Sequence, residues 1–545
     1  MLHGSNRAEI LMKRHLLASA CLAFTAPALA SESEEALLKS HVAFLASDAM
    51  RGREAGSPEY DIAAEYVASQ FMALGLKPEG GNGRYLQPVP LVSTKLLDQG
   101  KVTLRGAKGE VALTFGDEFV ASASLKTAAL KIDAPMVFVG FGVVAPEYRR
   151  DDYAGIDVRG KIVVMLSSAP KSIPGEIRAH YGNGATKAVL AEAKGAIGII
   201  TVETPTRAKV RKFDDVARDW ESKRMTWRLP DGSGFAPGGG APGLAYISLK
   251  GAEKLFAGVS GGAAKIMAAA ETPAAKLKPV ALGLNAVIET NSQIVAAESS
   301  NVAGLIKGSD PALASETIVL SGHLDHVGVG VPIKGDAVYN GAMDNAVGIA
   351  SMIEVARRIM ASPVKPKRSL LFLAVTAEEK GLVGADYFAR NPTIARDKII
   401  ANVNLDMPII TYALKDVIAF GAYRSSIGPV TKAAAEKLGL TLSPDPAPEQ
   451  AIFTRSDHYR FVQQGVPAVF LATGKIDDGG SYDGFLANHY HKPSDQMDLP
   501  FNWTSGVKFV ALNEAVTRAL ADAPARPLWD KGDFFGLLYG GAGAK

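Results

Sequence analysis

Apolar residues recur at spacings of three and four in two stretches near the front, "EEALLKSHVAFLAS" (34–47) and "EYDIAAEYVASQFMALG" (59–75), which predicts two amphipathic helices. From about residue 135 to 280 the pattern changes. Short β-rich runs such as "APMVFVGFGVV" and "GKIVVMLSS" alternate there with the helical "ATKAVLAEAKGA" and the glycine- and proline-rich "PDGSGFAPGGGAPG". This predicts a small β-rich domain set into the first one. After about 283 near-continuous apolar runs return: "TIVLSG", "LLFLAV", "IIANVNL", "DVIAFG" and "VPAVFLA". Strands covered on both faces read this way. Helical patterns such as "AVGIASMIEVARRIM" and "IGPVTKAAAEKLG" lie between them. The alternation predicts an α/β fold with a mostly parallel central sheet flanked by helices. Ligands of such sheets gather beyond the carboxyl ends of the strands, so the strand exits are where chemistry is expected.

Composition narrows the class without changing that picture. The chain has 545 residues, 47% hydrophobic and 21% charged, with a formal net charge of +3. These are ordinary globular values, long enough for more than one core, and nothing in them favours nucleic acid or an anionic membrane. The first 30 residues read as an export signal: Met12, Lys13 and Arg14 give a basic start, "LLASACLAF" an apolar stretch, and Ala28-Leu29-Ala30 a small-residue cleavage site. The expected location is therefore periplasmic or secreted. Cys21 is the sole cysteine and lies inside that signal, so the mature chain is expected to rely on its core rather than on disulfides. No apolar run approaches the roughly 20 residues of a transmembrane helix. The expected division is a signal at 1–30, a discontinuous body over 31–134 and 281–525, an insert over 135–280, and a tail over 526–545; the sequence assigns neither a function to the tail nor an oligomeric state to the protein.

The strand exits carry residues of the kind that bind metal. His323 and Asp325 follow "TIVLSG", Glu378 and Glu379 follow "LLFLAV", and Asp406 follows "IIANVNL". Asp344 precedes a helix in "GAMDNAVG", and His491 lies far downstream in "NHYHKPSDQMD". Singly each is weak, since an Asp before a helix is most often a cap and paired glutamates most often a solvated loop. Together, leaving the core strands of one sheet, they would repel one another strongly unless cations compensate. Imidazole with carboxylate suits zinc, with cobalt or manganese as substitutes. Five ligands divide as two for each of two ions and one shared. One of Glu378 and Glu379 is then expected to bind metal while the other stays free as a general base. His326 and His458 are further imidazoles beside these motifs, the latter with substrate contact or simple packing as its alternatives.

The stretches "SGHLDHVG", "GAMDNAVGIAS", "AVTAEEKGLVGADYF", "NVNLDM", "TRSDHYRFVQQGVPAVFLATG" and "YHKPSDQMD" resemble the M28 zinc metallopeptidases, aminopeptidase-like enzymes with a bacterial secreted branch. The resemblance covers most of residues 35–515 and implies a zinc-peptidase/phosphorylase-like fold, with the insert similar to a protease-associated domain. It implies two zinc ions per chain: His323 and Asp406 on one, Glu379 and His491 on the other, and Asp344 bridging. It further implies Glu378 as general base, Tyr490 as oxyanion donor, Asp325 as a carboxylate orienting His323, and a cis peptide between Asp344 and Asn345. The substrates implied are the amino ends of peptides or proteins. The same family includes carboxypeptidases and dipeptidases, single-zinc glutaminyl cyclases and non-catalytic receptor-like binding modules, which remain alternatives. The insert is expected to shape access to the cleft.

Overall fold

The computed structural model describes residues 32–236, 241–273 and 276–545. The expected signal with Cys21, and the "GGG" stretch of the insert at 238–240, lie outside the described residues. The body is built on one mixed sheet, whose strands are β1 (Leu86–Leu96), β2 (Val280–Ile306), β3 (Thr317–His323), β4 (Ser369–Val375), β5 (Ile399–Leu405), β6 (Asp416–Phe420) and β7 (Ala468–Thr473). Its centre is parallel in the order β4-β3-β5-β7. β1 and β2 add antiparallel strands on the β4 side, and β6 closes antiparallel against β7.

Alternation along the central strands explains their unbroken apolar character. Ile318, Leu320, Leu370 and Phe372 point into one cluster, together with α1 (Pro58–Ala73), α2 (Val347–Ala361) and α3 (Trp503–Asp522). Val319, Leu371 and Leu373 point into the opposite cluster with Ala385, Phe388 and Phe461. Every residue of β3, β4 and β5 is buried, so each pleat direction meets a helix. A fully buried Leu or Phe stabilises the fold by roughly 1.5–3 kcal/mol, which makes this two-faced core the main source of stability. Helix starts follow local chemistry: Pro58 opens α1, and the Ser57 hydroxyl accepts from the Tyr60 amide. Residues 32–45 form a further helix that packs Leu38, Val42 and Leu45 into the first cluster.

A second sheet forms the smaller unit, around strands such as Ala129–Phe138, Ile162–Leu166, Gly198–Val202 and Gly243–Ile247. It starts earlier than residue 135, because strands Lys101–Gly106 and Phe119–Ala121 belong to it. Its far border is shared: β2 runs 27 residues, the first part paired in the smaller sheet and the rest paired with β1 and β4. Conversely, Arg224–Trp227 lies within 135–280 yet pairs with β1 of the body. Apolar periodicity reports that a stretch is a strand but not which sheet receives it. The tail buries Trp529 and Phe535 with Phe453 and Tyr459, and the Trp529 indole donates to the Gly465 carbonyl at 2.8 Å. Among the described residues no helix is long and apolar enough to cross a membrane.

Candidate metal centre

Parallel pairing places the exits of three strands side by side. His323, the last residue of β3, is level with Val375 at the end of β4, and Ser321 is level with Asn404 near the end of β5. Glu378 and Glu379 leave β4, and Asp406 leaves β5, on the same edge of the sheet. Asp344 arrives from the irregular turn Ala342–Ala346 that opens α2, and the Asp344–Asn345 peptide is cis. His491 reaches the same point from the loop after helix Ser481–Asn488.

The two oxygens of Asp344 face different partners. Oδ1 is 3.2 Å from His323 Nε2, which is also 3.1 Å from Asp406 Oδ1. Oδ2 is 3.2 Å from His491 Nε2, which is also 3.0 Å from Glu379 Oε2. The residues expected at the centre thus converge in two groups that share one carboxylate. His326 joins the second group, its Nδ1 2.7 Å from Glu379 Oε1. Donor atoms of His323, Asp344 and Asp406 lie within 4.8 Å of one another, as do those of His326, Asp344 and Glu379, and of His323, Glu378 and Glu379.

Main-chain and buried polar contacts fix this arrangement. His323 Nδ1 donates to the Asp325 carbonyl at 3.1 Å, which leaves the Nε2 lone pair aimed at two carboxylate oxygens. The expected contact between the Asp325 carboxylate and His323 is therefore replaced: the main-chain oxygen orients the imidazole. The Asp325 carboxylate instead accepts from the amides of Glu378 at 3.0 Å and Glu379 at 3.3 Å, holding the glutamate pair in place. Ser456 Oγ donates to Asp406 Oδ2 at 2.5 Å, and Asn345 Nδ2 donates to the carbonyls of His323 and Leu405.

Two supporting residues were not singled out from the sequence. Asp495 accepts from the amides of Met343 at 2.8 Å and Asp344 at 3.0 Å, fixing the backbone of the shared aspartate. Arg53, fully buried, donates to the carbonyls of Leu45, Leu324, Asn340, Gly341 and Asp344. Both lie inside stretches that resemble the family, "RGREAG" and "KPSDQMD", but an isolated charge in a loop-like stretch reads as solvated. Only burial marks them out.

Electrostatics supply the test of fit. Burial opposes charge on His323, yet Asp406, Glu378 and Asp344 overcome it and hold the imidazole well above its usual range. Burial likewise opposes charge on His491, and Glu379, Tyr490 and Asp344 raise it well above the usual range. Burial pushes Glu378 well above the ordinary carboxylate range, with His323 opposing and Glu379 and Asp406 adding to the rise. Asp325 is pushed up to about 6, chiefly by burial. Four carboxylates crowded around imidazoles whose pKa they raise demand positive charge, and this nitrogen and oxygen donor set suits a divalent zinc.

A cleft of about 620 Å3 opens over the donors. Glu378 and Tyr490 line it, and the Tyr490 ring stacks on His491 at 3.9 Å between centroids. Arg455 Nη2 donates to the Tyr490 hydroxyl at 3.2 Å. His458 does not line the cleft. It is fully buried, with its ring against Phe453 and Phe470 and its pKa depressed by burial to about 3, so packing rather than substrate contact is its place.

Residues 301–516 match the family described as Peptidase family M28. A "Probable leucine aminopeptidase 2" of Aspergillus fumigatus is 29% identical over 285 residues, covering 48% of this chain and 54% of that protein. A "Leupeptin-inactivating enzyme 1" of Streptomyces exfoliatus is 28% identical over 176 residues, 31% of this chain and 34% of that protein. The chain spans about half the length of the curated relatives it matches. Among solved structures, an aminopeptidase from Aneurinibacillus sp. strain AM-1 shares the fold at a TM-score of 0.53 and 20% identity, over 90% of this chain and 95% of that one. The match to Peptidase family M28 over residues 301–516 runs through every strand exit that carries a donor.

Proposed function

We propose that the chain is an exported metallopeptidase with two zinc ions per chain that releases residues from the amino ends of peptides. The observation that carries the reading is Asp344, whose two oxygens face separate donor groups, His323 with Asp406 and His491 with Glu379. Bound there, zinc supplies positive charge that polarises a scissile carbonyl and acidifies water.

The chain's own residues supply the remaining roles. Glu378 lines the cleft without a place in either pair around Asp344, and its amide is pinned by Asp325. Its carboxylate takes the proton of the attacking water and returns it to the departing amine nitrogen. Burial alone would keep that carboxyl protonated, and a nearby cation restores a carboxylate able to accept a proton. The Tyr490 hydroxyl accepts from Arg455, so its own proton is free to donate to the developing oxyanion. A donor of that kind is worth roughly 2.7–4 kcal/mol in the transition state. The relatives named as aminopeptidases support the amino-terminal direction. Export rests on the signal-like pattern of the first 30 residues, and amino-terminal sequencing of exported protein is expected to start at Ser31.

The test is turnover of leucine p-nitroanilide alongside metal analysis. Glu378→Gln is expected to keep its zinc and lose about 10²–10⁴-fold in kcat. Tyr490→Phe is expected to lose about 10²–10³-fold. Wild-type turnover in Glu378→Gln, or metal content near one ion per chain in active enzyme, overturns the assignment.

A further inference from the structure

The cleft has two walls of different origin. The body supplies the donor set, Tyr490 and Arg455, while the short helices Pro205–Val210 and Phe213–Arg218 of the smaller unit form the facing side. The first of these helices touches the body at Pro448–Gln450. Charge on the walls is unbalanced. Outside the donor set the lining carboxylates are Asp215, Asp219 and Asp483, and each already has a cation: Arg218 for the first, Arg211 and Arg218 for the second, Lys475 for the third. Arg207 and Arg455 also line the cleft; neither forms a salt bridge among the described residues, and the carboxylate acting on Arg207 there is the buried Glu203, which does not line the cleft.

Their positions relative to the donor set are informative. Arg455 gives one nitrogen to the Gln450 carbonyl and another to the Tyr490 hydroxyl, and Tyr490 stacks on His491. Arg455 is thus one side chain from the donor set. Arg207 approaches from the other wall, half-buried and near enough to Arg455 that the two charges oppose one another. Two guanidinium groups lining one cleft, neither in a salt bridge, repel, and an anion placed in the cleft beside both would be held by both. Lys209 and Lys212, exposed on the same wall, add a positive field at the mouth.

We propose that Arg207 and Arg455 clamp a substrate carboxylate within one residue of the scissile bond, so that the enzyme prefers peptides carrying a negative charge there. The inference rests on the peptidase reading and adds the substrate class. Three sources present that carboxylate: an acidic side chain at the amino-terminal residue, one at the residue after it, and the free carboxyl end of a dipeptide. The smaller unit then contributes a specificity residue to the active site.

Matched substrates separate the sources. Values of kcat/KM are compared for Glu-Ala-amide with Gln-Ala-amide, Leu-Glu-amide with Leu-Gln-amide, and the Leu-Ala free acid with Leu-Ala-amide. At least one charged substrate is expected to exceed its neutral twin by about tenfold or more at low salt. That ratio is expected to fall towards one in Arg207→Gln, to recover in part in Arg207→Lys, and to shrink in wild-type enzyme at on the order of 0.5 M salt. Ratios near one for all three pairs overturn the clamp and leave the peptidase reading intact, as does a preference that Arg207→Gln leaves unchanged. Failure of wild-type enzyme to cleave any of the six overturns both.

Discussion

Asp344 and its supports show how single residues build this centre. One carboxylate can face two donor groups only if its backbone is held, and Asp495 does this by accepting from the amides of Met343 and Asp344. Asn at 495 keeps the shape but replaces one accepting oxygen with an NH2 group that confronts an amide donor. Asp495→Asn is therefore expected to weaken zinc binding by roughly 10–100-fold with the fold retained, read by competition with a chelator. Equal chelator sensitivity in variant and wild type would show that Asp495 does not position the shared carboxylate. At this scale the residues that converge around Asp344 were legible in the sequence, because a histidine or carboxylate following a core strand is conspicuous. It did not disclose that Asp325 acts through its carbonyl on His323 and through its carboxylate on the amides of Glu378 and Glu379. Which atom of a residue is used depends on backbone path, and that is absent from residue type.

Between elements, Arg53 joins parts that no hydrophobic contact could. Its guanidinium lies under the centre and serves the end of the 32–45 helix, the exit of β3 and the turn that opens α2. Burial disfavours its charge, while Asp344, Asp495 and Asp325 support it. Truncation leaves several buried carbonyls without donors and removes that compensating charge. Arg53→Ala is expected to cost about 3–5 kcal/mol in denaturant unfolding. A loss below about 1 kcal/mol would mean that water or a rearranged loop satisfies those carbonyls. The strands themselves were legible from their apolar runs: "TIVLSG", "LLFLAV" and "IIANVNL" are β3, β4 and β5. Elements whose pattern is set by two different neighbours were not. β2 passes from one sheet to the other at Asn291–Ser292 without a break in the strand, and Arg224–Trp227 joins the body from within the expected insert.

In the whole molecule, the contact between the smaller unit and the body carries its own titration. His180, in helix Gly175–Gly182 of the smaller unit, is buried, and its Nδ1 is 2.7 Å from the Tyr459 hydroxyl. Its ring also packs against Phe534 and Phe535 of the tail. Burial depresses its pKa to about 4, whereas the unfolded chain takes up that proton near 6.5. Below about 6.5 the unfolded state therefore binds the extra proton, and this contribution to stability falls as pH drops towards 4. Between pH 7 and 5 the loss is about 2 kcal/mol. The stability difference between wild type and His180→Gln is expected to narrow by that amount over the same interval, read by denaturant unfolding at each pH. A constant difference would show that His180 does not stay neutral in the fold.

Residue order by itself determined the α/β alternation, the two-faced burial of the central strands and which polar residues stand at the strand exits, because those follow from local periodicity and side-chain chemistry. Tertiary structure decided that donors separated by up to 168 residues, from His323 to His491, meet around the two oxygens of one aspartate. It also decided that two short helices of the smaller unit line the cleft opposite Arg455. Such meetings depend on parallel register and on how sheets share strands, interactions between residues far apart in the chain that no local pattern encodes.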